Sequence, residues 1–189
     1  MTFFSLDTSA RKAFFTLIKN GRIKKHLVLL GDATLSSNIH PLFQEFLSPD
    51  ERSHLRGIIV GLGPGSFTGT RVGIVLAKTL AYSLKIPIWG VPSLAFVTKS
   101  AEEISVLDAK KRGIYCYQEN KVSLLPPNNL QSLDNCQVFS VNSAPLEDKL
   151  PKTTVSERDP NPLFAAKPYL SATSRFSPEE AASLEAIYF

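Results

Sequence analysis

The sequence predicts an α/β protein built from two related halves, and three observations carry that prediction. The chain opens on a meander of short apolar strands. A buried strand, a glycine-rich turn and a long helix then occupy residues 58–84. The opening pattern returns about one hundred residues later.

Thr2-Phe3-Phe4-Ser5-Leu6 is the first strand, ending at Asp7-Thr8-Ser9. Ala13 to Lys19 forms the second, Asn20-Gly21 a two-residue hairpin turn, and Arg22 to Leu29 the third. Asn-Gly between apolar runs supplies the positive φ angles that a tight hairpin needs. Ser37 and Asn38 both qualify as the cap of a helix running through Leu47, with Ile39, Leu42, Phe43, Phe46 and Leu47 apolar at helical spacing.

The organising stretch follows. Ile58-Ile59-Val60 reads as a buried strand, and Gly61, Gly63, Pro64 and Gly65 turn the backbone sharply. Ser66 and Thr68 both qualify as N-cap of a helix that continues to Leu84. On that helix Gly69, Gly73, Ala77 and Ala81 recur every fourth residue and share one face. A mid-helix glycine costs about 1 kcal/mol relative to alanine, so close approach of other backbone is expected at Gly73. The stripe faces either the chain's own core or a partner helix.

Ile86 to Val91 forms another short strand, and Pro92-Ser93 opens a helix. Leu107-Asp108 and Arg112 then match Leu6-Asp7 and Arg11 at a constant offset, and Tyr115 stands opposite Phe14. A duplicated hairpin, with a boundary near residues 98–103, accounts for this. Beyond it, residues 126–129 read as loop, 137–141 as strand and the proline-rich 142–162 mostly as loop. Ser177-Pro178-Glu179-Glu180 is a capping box with proline at the first helical position, so a last helix runs to about Leu184.

At 189 residues, 43% hydrophobic and 20% charged, the chain has ordinary globular composition. The net charge of +4 permits proximity to RNA without demanding it. Cys116 and Cys136 are too few for a disulfide framework and read as buried free thiols. No signal peptide and no apolar run of membrane-spanning length is visible, so a cytoplasmic setting is expected.

The established chemical motifs fit poorly. No glycine of the turn is followed by lysine, which excludes a Walker loop, and the glycine spacing misses the dinucleotide fingerprint. Ser66 lacks the nucleophile elbow. His26, His40 and His54 are too widely spaced to form a local ligand pair, so no metal and no cofactor are expected. Asp7, beside Thr8 and Ser9, reads as a turn residue bonding its own backbone, or as a carboxylate placed to meet a metal or phosphates. Its counterpart Asp108 is followed by Lys110, Lys111 and Arg112, which obstruct a phosphate cradle and suit an acidic partner or a solvated turn.

Gly63-Pro64-Gly65-Ser66-Phe67-Thr68-Gly69, followed by Arg71, Gly73 and Ala77-Lys78, resembles the signature of the TsaB (YeaZ) family. Leu6 to Ser9, the 86–94 segment, and Leu107 to Tyr115 resemble it too. The likeness covers the first 117 residues in order and fades beyond residue 120. It implies an actin-like, Hsp70-like (ASKHA) fold of two ribonuclease H-like halves, residues 1–100 and a shortened 101–189. It also implies a non-catalytic assembly subunit that helps make threonylcarbamoyladenosine beside the anticodon of tRNA. The family's partners are the TsaD paralogue, which holds the catalytic metal, and the TsaE ATPase; it also forms homodimers, and tRNA is reached indirectly.

The resemblance further implies a partner interface on two helices, with His40, Phe43, Gly69, Arg71, Gly73, Ala77 and Ala81, and a vestigial nucleotide site at Asp7, Thr8 and Ser9. The catalytic paralogues carry His-x-x-x-His, whereas here His40 is followed at position 44 by Gln. The alternative is an enzyme of the same fold, a small-molecule phosphotransferase using Asp7 or a metallopeptidase. The first needs a second glycine-rich loop after Asp108 and the second needs metal ligands; neither feature is in the sequence.

Overall fold

The computed structural model describes residues 1–30, 35–170 and 176–189. Thr2–Asp7 (β1) is buried along its whole length because it is the middle strand of a five-stranded sheet. Lys12–Lys19 (β2) and Arg22–Leu30 (β3) extend that sheet antiparallel on one side. Gly57–Gly61 (β4) and Ile88–Val91 (β5) extend it parallel on the other. The Asn20-Gly21 turn has φ of 52° and 70°, the pair of positive angles expected of a tight hairpin.

Alternation along β1 splits the core into two layers. Phe4 and Leu6 face Leu35–Phe46 (α1) and Phe67–Leu84 (α3), packing with Phe15, Phe43, Leu47, Ala77 and Ala81. Phe3, on the opposite face, joins Phe14, Ile59 and Phe96. The helix expected to begin near Ser37 starts at Leu35, so Ser37 and Asn38 lie within it, beside a stretch (31–34) outside the described residues. Pro49–Ser53 (α2) is a short helix closed by a capping box between Ser48 and Glu51. The helix expected after Pro92 is a single 3-10 stretch, Ser93–Val97.

The second sheet repeats the first. Ile104–Asp108 (β6) is central, Ile114–Gln118 (β7) and Lys121–Leu125 (β8) add antiparallel, and Gln137–Ser140 (β9) and Thr154–Glu157 (β10) add parallel. Read from the hairpin edge, both sheets run third, second, first, fourth, fifth strand. Asp7 and Asp108 therefore end the two central strands at equivalent places. The loop expected over 142–162 contains β10 and the short helix Ala144–Glu147 (α4).

After β10 the chain returns to the first sheet. Pro162–Ala166 (α5) contributes Ala166 to the layer of Phe3 and Phe96, and Pro178–Ser183 (α6) contributes Ala181 to the layer of Ala77. The Lys12 ammonium reaches Glu157 and Asp159, each at 2.7 Å, and so ties the two sheets together. Among the described residues, no helix is long and apolar enough to cross a membrane.

Candidate functional site

The glycine-rich turn and the Asp7–Ser9 turn are built into each other. Ser66 N donates to the Ser9 carbonyl at 2.6 Å, and the Thr8 hydroxyl donates to the Gly69 carbonyl at 2.6 Å. Ser66 caps α3 by accepting from Gly69 N at 3.2 Å, and Gly63 N donates to the Ser93 hydroxyl at 2.8 Å. A side chain on Gly69 would collide with the Thr8 carbonyl oxygen, and one on Gly73 with the Thr8 hydroxyl. This close approach offsets the helix cost of Gly73.

The small-residue stripe is thus used inside the chain. Gly73 is buried under Thr8, and Ala77 and Ala81 are 0% exposed in the core. Of the two faces expected for the stripe, these residues lie on the one that packs α3 close to β1 and β4. Phe43 also packs inside the chain. It is 1% exposed, with its ring 5.4 Å from that of Phe4. His40 and Arg71 are exposed. Gly69 is half-buried against Thr8.

Asp7, Thr8 and Ser9 are all buried. Asp7 accepts from Ser9 N at 2.7 Å, yet burial outweighs its hydrogen bonds and pushes the carboxyl above its ordinary value near 3.8. The sign follows from the direction. A carboxyl raised on folding favours the folded state at low pH, and that contribution is lost as pH climbs from the unfolded value through the folded one. Asp7→Asn keeps the acceptor for Ser9 N without the charge. It is expected to raise the melting temperature more at pH 7 than at pH 4, as thermal melts at the two pH values will show.

Asp108 is a different case. The Lys149 ammonium sits on its carboxylate and also donates to the Lys110 carbonyl at 2.6 Å. A fixed lysine therefore neutralises the second acid of the duplicated pair. Sequence reasoning missed Lys149 because it lies 41 residues from Asp108, in a stretch with no local pattern. Among the described residues, no group of three His, Cys, Asp or Glu side chains is placed to hold a metal.

Arg71 stands in the first turn of α3, where the helix dipole opposes a cation. Its partners are aromatic. The guanidinium lies 3.7 Å over the Phe67 ring, and Nε donates to the Tyr188 hydroxyl at 2.9 Å. Arg71→Ala removes a cation–π contact and a hydrogen bond, together about 1–2 kcal/mol. A fall of roughly 2–8 °C in melting temperature is expected for a chain of this size, readable by calorimetry.

Between the two turns lies a cleft of about 890 Å³, bordered by Ser66, Phe67 and Thr68 on one side and by Asp108, Lys110 and Tyr115 on the other. Along α3, Val75 and Tyr82 are exposed at 62% and 44% on the side away from the core.

Comparison with known proteins adds the following. The family model described as TsaD, tRNA N6-adenosine threonylcarbamoyltransferase, matches residues 33–180. A Bacillus subtilis protein named tRNA threonylcarbamoyladenosine biosynthesis protein TsaB is 24% identical across 94% of this chain and 83% of its own length. Proteins of the same name from Haemophilus influenzae and Escherichia coli are 29% and 27% identical, and the matched stretch spans 53% of each. The solved structure of YeaZ from Pseudomonas aeruginosa superposes with a TM-score of 0.73 at 21% identity, over 100% of this chain and 99% of its own. A second Pseudomonas aeruginosa structure, described as similar to peptidase YEAZ, superposes at 0.70 with 23% identity, over 99% and 98%. The two matching sheets and these superpositions establish the actin-like fold of two ribonuclease H-like halves.

Proposed function

Because this chain belongs to the TsaD family and, within it, to the TsaB (YeaZ) group, we propose that it is a non-catalytic assembly subunit in threonylcarbamoyladenosine synthesis on tRNA. One observation carries the non-catalytic reading: Lys149 is fixed on Asp108. For the phosphotransferase alternative, a glycine-rich phosphate loop would have to follow this carboxylate. Here the carboxylate is spent on an internal ion pair, and the turn after it presents lysines and an arginine where a phosphate cradle would need bare backbone.

In this reading residues 1–100 and 101–189 are the two halves, and the outer face of α1 and α3 docks a TsaD-type paralogue. His40, Arg71, Val75 and Tyr82 lie exposed on these helices. A second copy of the chain uses the same face in the absence of the paralogue, a TsaE-type ATPase joins the pair, and the complex works in the cytoplasm. The test is reconstitution with the TsaD-type paralogue from the same cell. The chain alone is expected not to hydrolyse ATP at an ordinary enzymatic rate of roughly 1 per second, and to co-elute with the paralogue. Failure to associate, or ATP turnover by the chain alone that Asp7→Ala abolishes, overturns the proposal.

A further inference from the structure

The mouth of the cleft carries more positive charge than an assembly role uses. Arg11, Lys110, Lys111 and Arg112 all border it, and none takes part in an ion pair among the described residues. The nearby carboxylates do not cancel them. Among the residues that line the cleft Asp108 is the one acidic side chain, and it is held by Lys149. The local field is therefore positive on both banks of the cleft.

Aromatic rings lie beside arginines next to both banks. Next to the first-half bank, Arg71 lies over the Phe67 ring, 3.7 Å from its centre, and 5.8 Å from the centre of the Tyr188 ring. On the second-half bank, Arg112 lies 5.8 Å from the centre of the Tyr115 ring, and the Phe189 ring sits 5.7 Å from that of Tyr115. Adjacent Tyr188 and Phe189 thus join the two banks. Phe67, Tyr188 and Phe189 remain 58%, 54% and 45% exposed, so part of each ring is open to solvent even with Arg71 over Phe67.

Cations bordering a groove, with partly exposed rings beside them, match single-stranded nucleic acid. Phosphates follow the cations and unstacked bases lie on the rings. An acidic peptide would use the charges and leave the rings idle. A duplex would meet the charges but offer no free base. We propose that the mouth of the cleft binds a single-stranded stretch of RNA, which rests on the reading of this chain as a tRNA-modification subunit and makes its contact with tRNA direct.

The test uses the full chain and fluorescence anisotropy with a labelled twelve-nucleotide single-stranded RNA, the same RNA annealed to its complement, and an unmodified tRNA transcript. Single strand and tRNA are expected to bind more tightly than the duplex. The triple variant Arg11→Ala/Lys110→Ala/Lys111→Ala should weaken binding at least tenfold at low salt and flatten the slope of log K against log salt by about 2, at about 0.7 per lost phosphate contact. Phe189→Ala should weaken binding at least about fivefold with the salt slope unchanged, the mark of a lost stacking contact.

All substituted side chains are exposed, and circular dichroism verifies that the variants fold. No binding by the wild type at low salt, equal binding by the triple variant, or equal preference for duplex overturns the inference. So does displacement of the RNA by an equal concentration of polyglutamate, which would assign the cleft to an acidic protein segment. The same samples are passed over the immobilised TsaD-type paralogue. RNA binding without paralogue capture would sink the assembly reading alone, and the reverse would sink this inference alone.

Discussion

Ala77→Arg is expected to abolish folding. Ala77 is 0% exposed in the layer where α3 meets the sheet, and Ala81, one turn on, is equally buried. The side chains around it, including Phe4, Ile58 and Val60, come from strands fixed by pairing on both sides. Arginine cannot escape along the helix axis, because its neighbours on the same face are also packed. Overpacking alone costs about 1–3 kcal/mol, and an unpaired buried charge costs several more. Together these consume most of the roughly 5–15 kcal/mol by which a domain of this kind is stable. Loss of the helical signal in circular dichroism and elution in the void volume are the expected results. A folded, monomeric Ala77→Arg protein would mean that α3 can rotate about its axis, and that Thr8 does not lock it through Gly69 and Gly73.

The legible parts of the fold were those whose signal is local. Asn20-Gly21 specifies its turn through the backbone angles it tolerates, and Ser177-Pro178-Glu179-Glu180 specifies a helix start. The duplication was legible because the two hairpins keep their aspartates and aromatic residues at one spacing. Ser48-Pro49-Asp50-Glu51 carries the same local capping-box signal as the last helix. By contrast, β10 is four residues long within a polar stretch, and pairing with β9 defines it more than its own propensity does.

The candidate site shows the same division. The four-residue spacing of Gly69, Gly73, Ala77 and Ala81 revealed a close-packed face, but spacing alone does not say what lies against it. The answer, Thr8, stands 61 residues before Gly69. Arg71 stands out in the sequence through the family signature. Its partner Tyr188 is 117 residues away, and only the return of the chain along α3 brings them together. Lys149 on Asp108 gave no signal at all, since a lone lysine in a loop has many possible fates and its role is set entirely by tertiary structure.

Val75→Arg, two residues from Ala77, is expected to leave the fold intact and remove association with the TsaD-type paralogue. Val75 is 62% exposed, so in the free chain the new guanidinium points into water. Surface changes of this kind usually alter stability by no more than about 0.5 kcal/mol. The position lies one helical turn beyond Arg71 on the outer side of α3, and Val75 is the most exposed large apolar residue of that helix. If a partner helix lies there, the arginine must be buried without a counter-charge or must hold the two helices apart. A loss of about 3 kcal/mol is already more than a hundredfold in affinity. Circular dichroism should match the wild type, while titration calorimetry with the paralogue should show no measurable heat at micromolar concentration. Retained binding would move the docking face away from the middle of α3. Unfolding would contradict the exposure of Val75 and, set beside Ala77→Arg, would remove the distinction between the inner and outer faces of this helix on which the proposed interface depends.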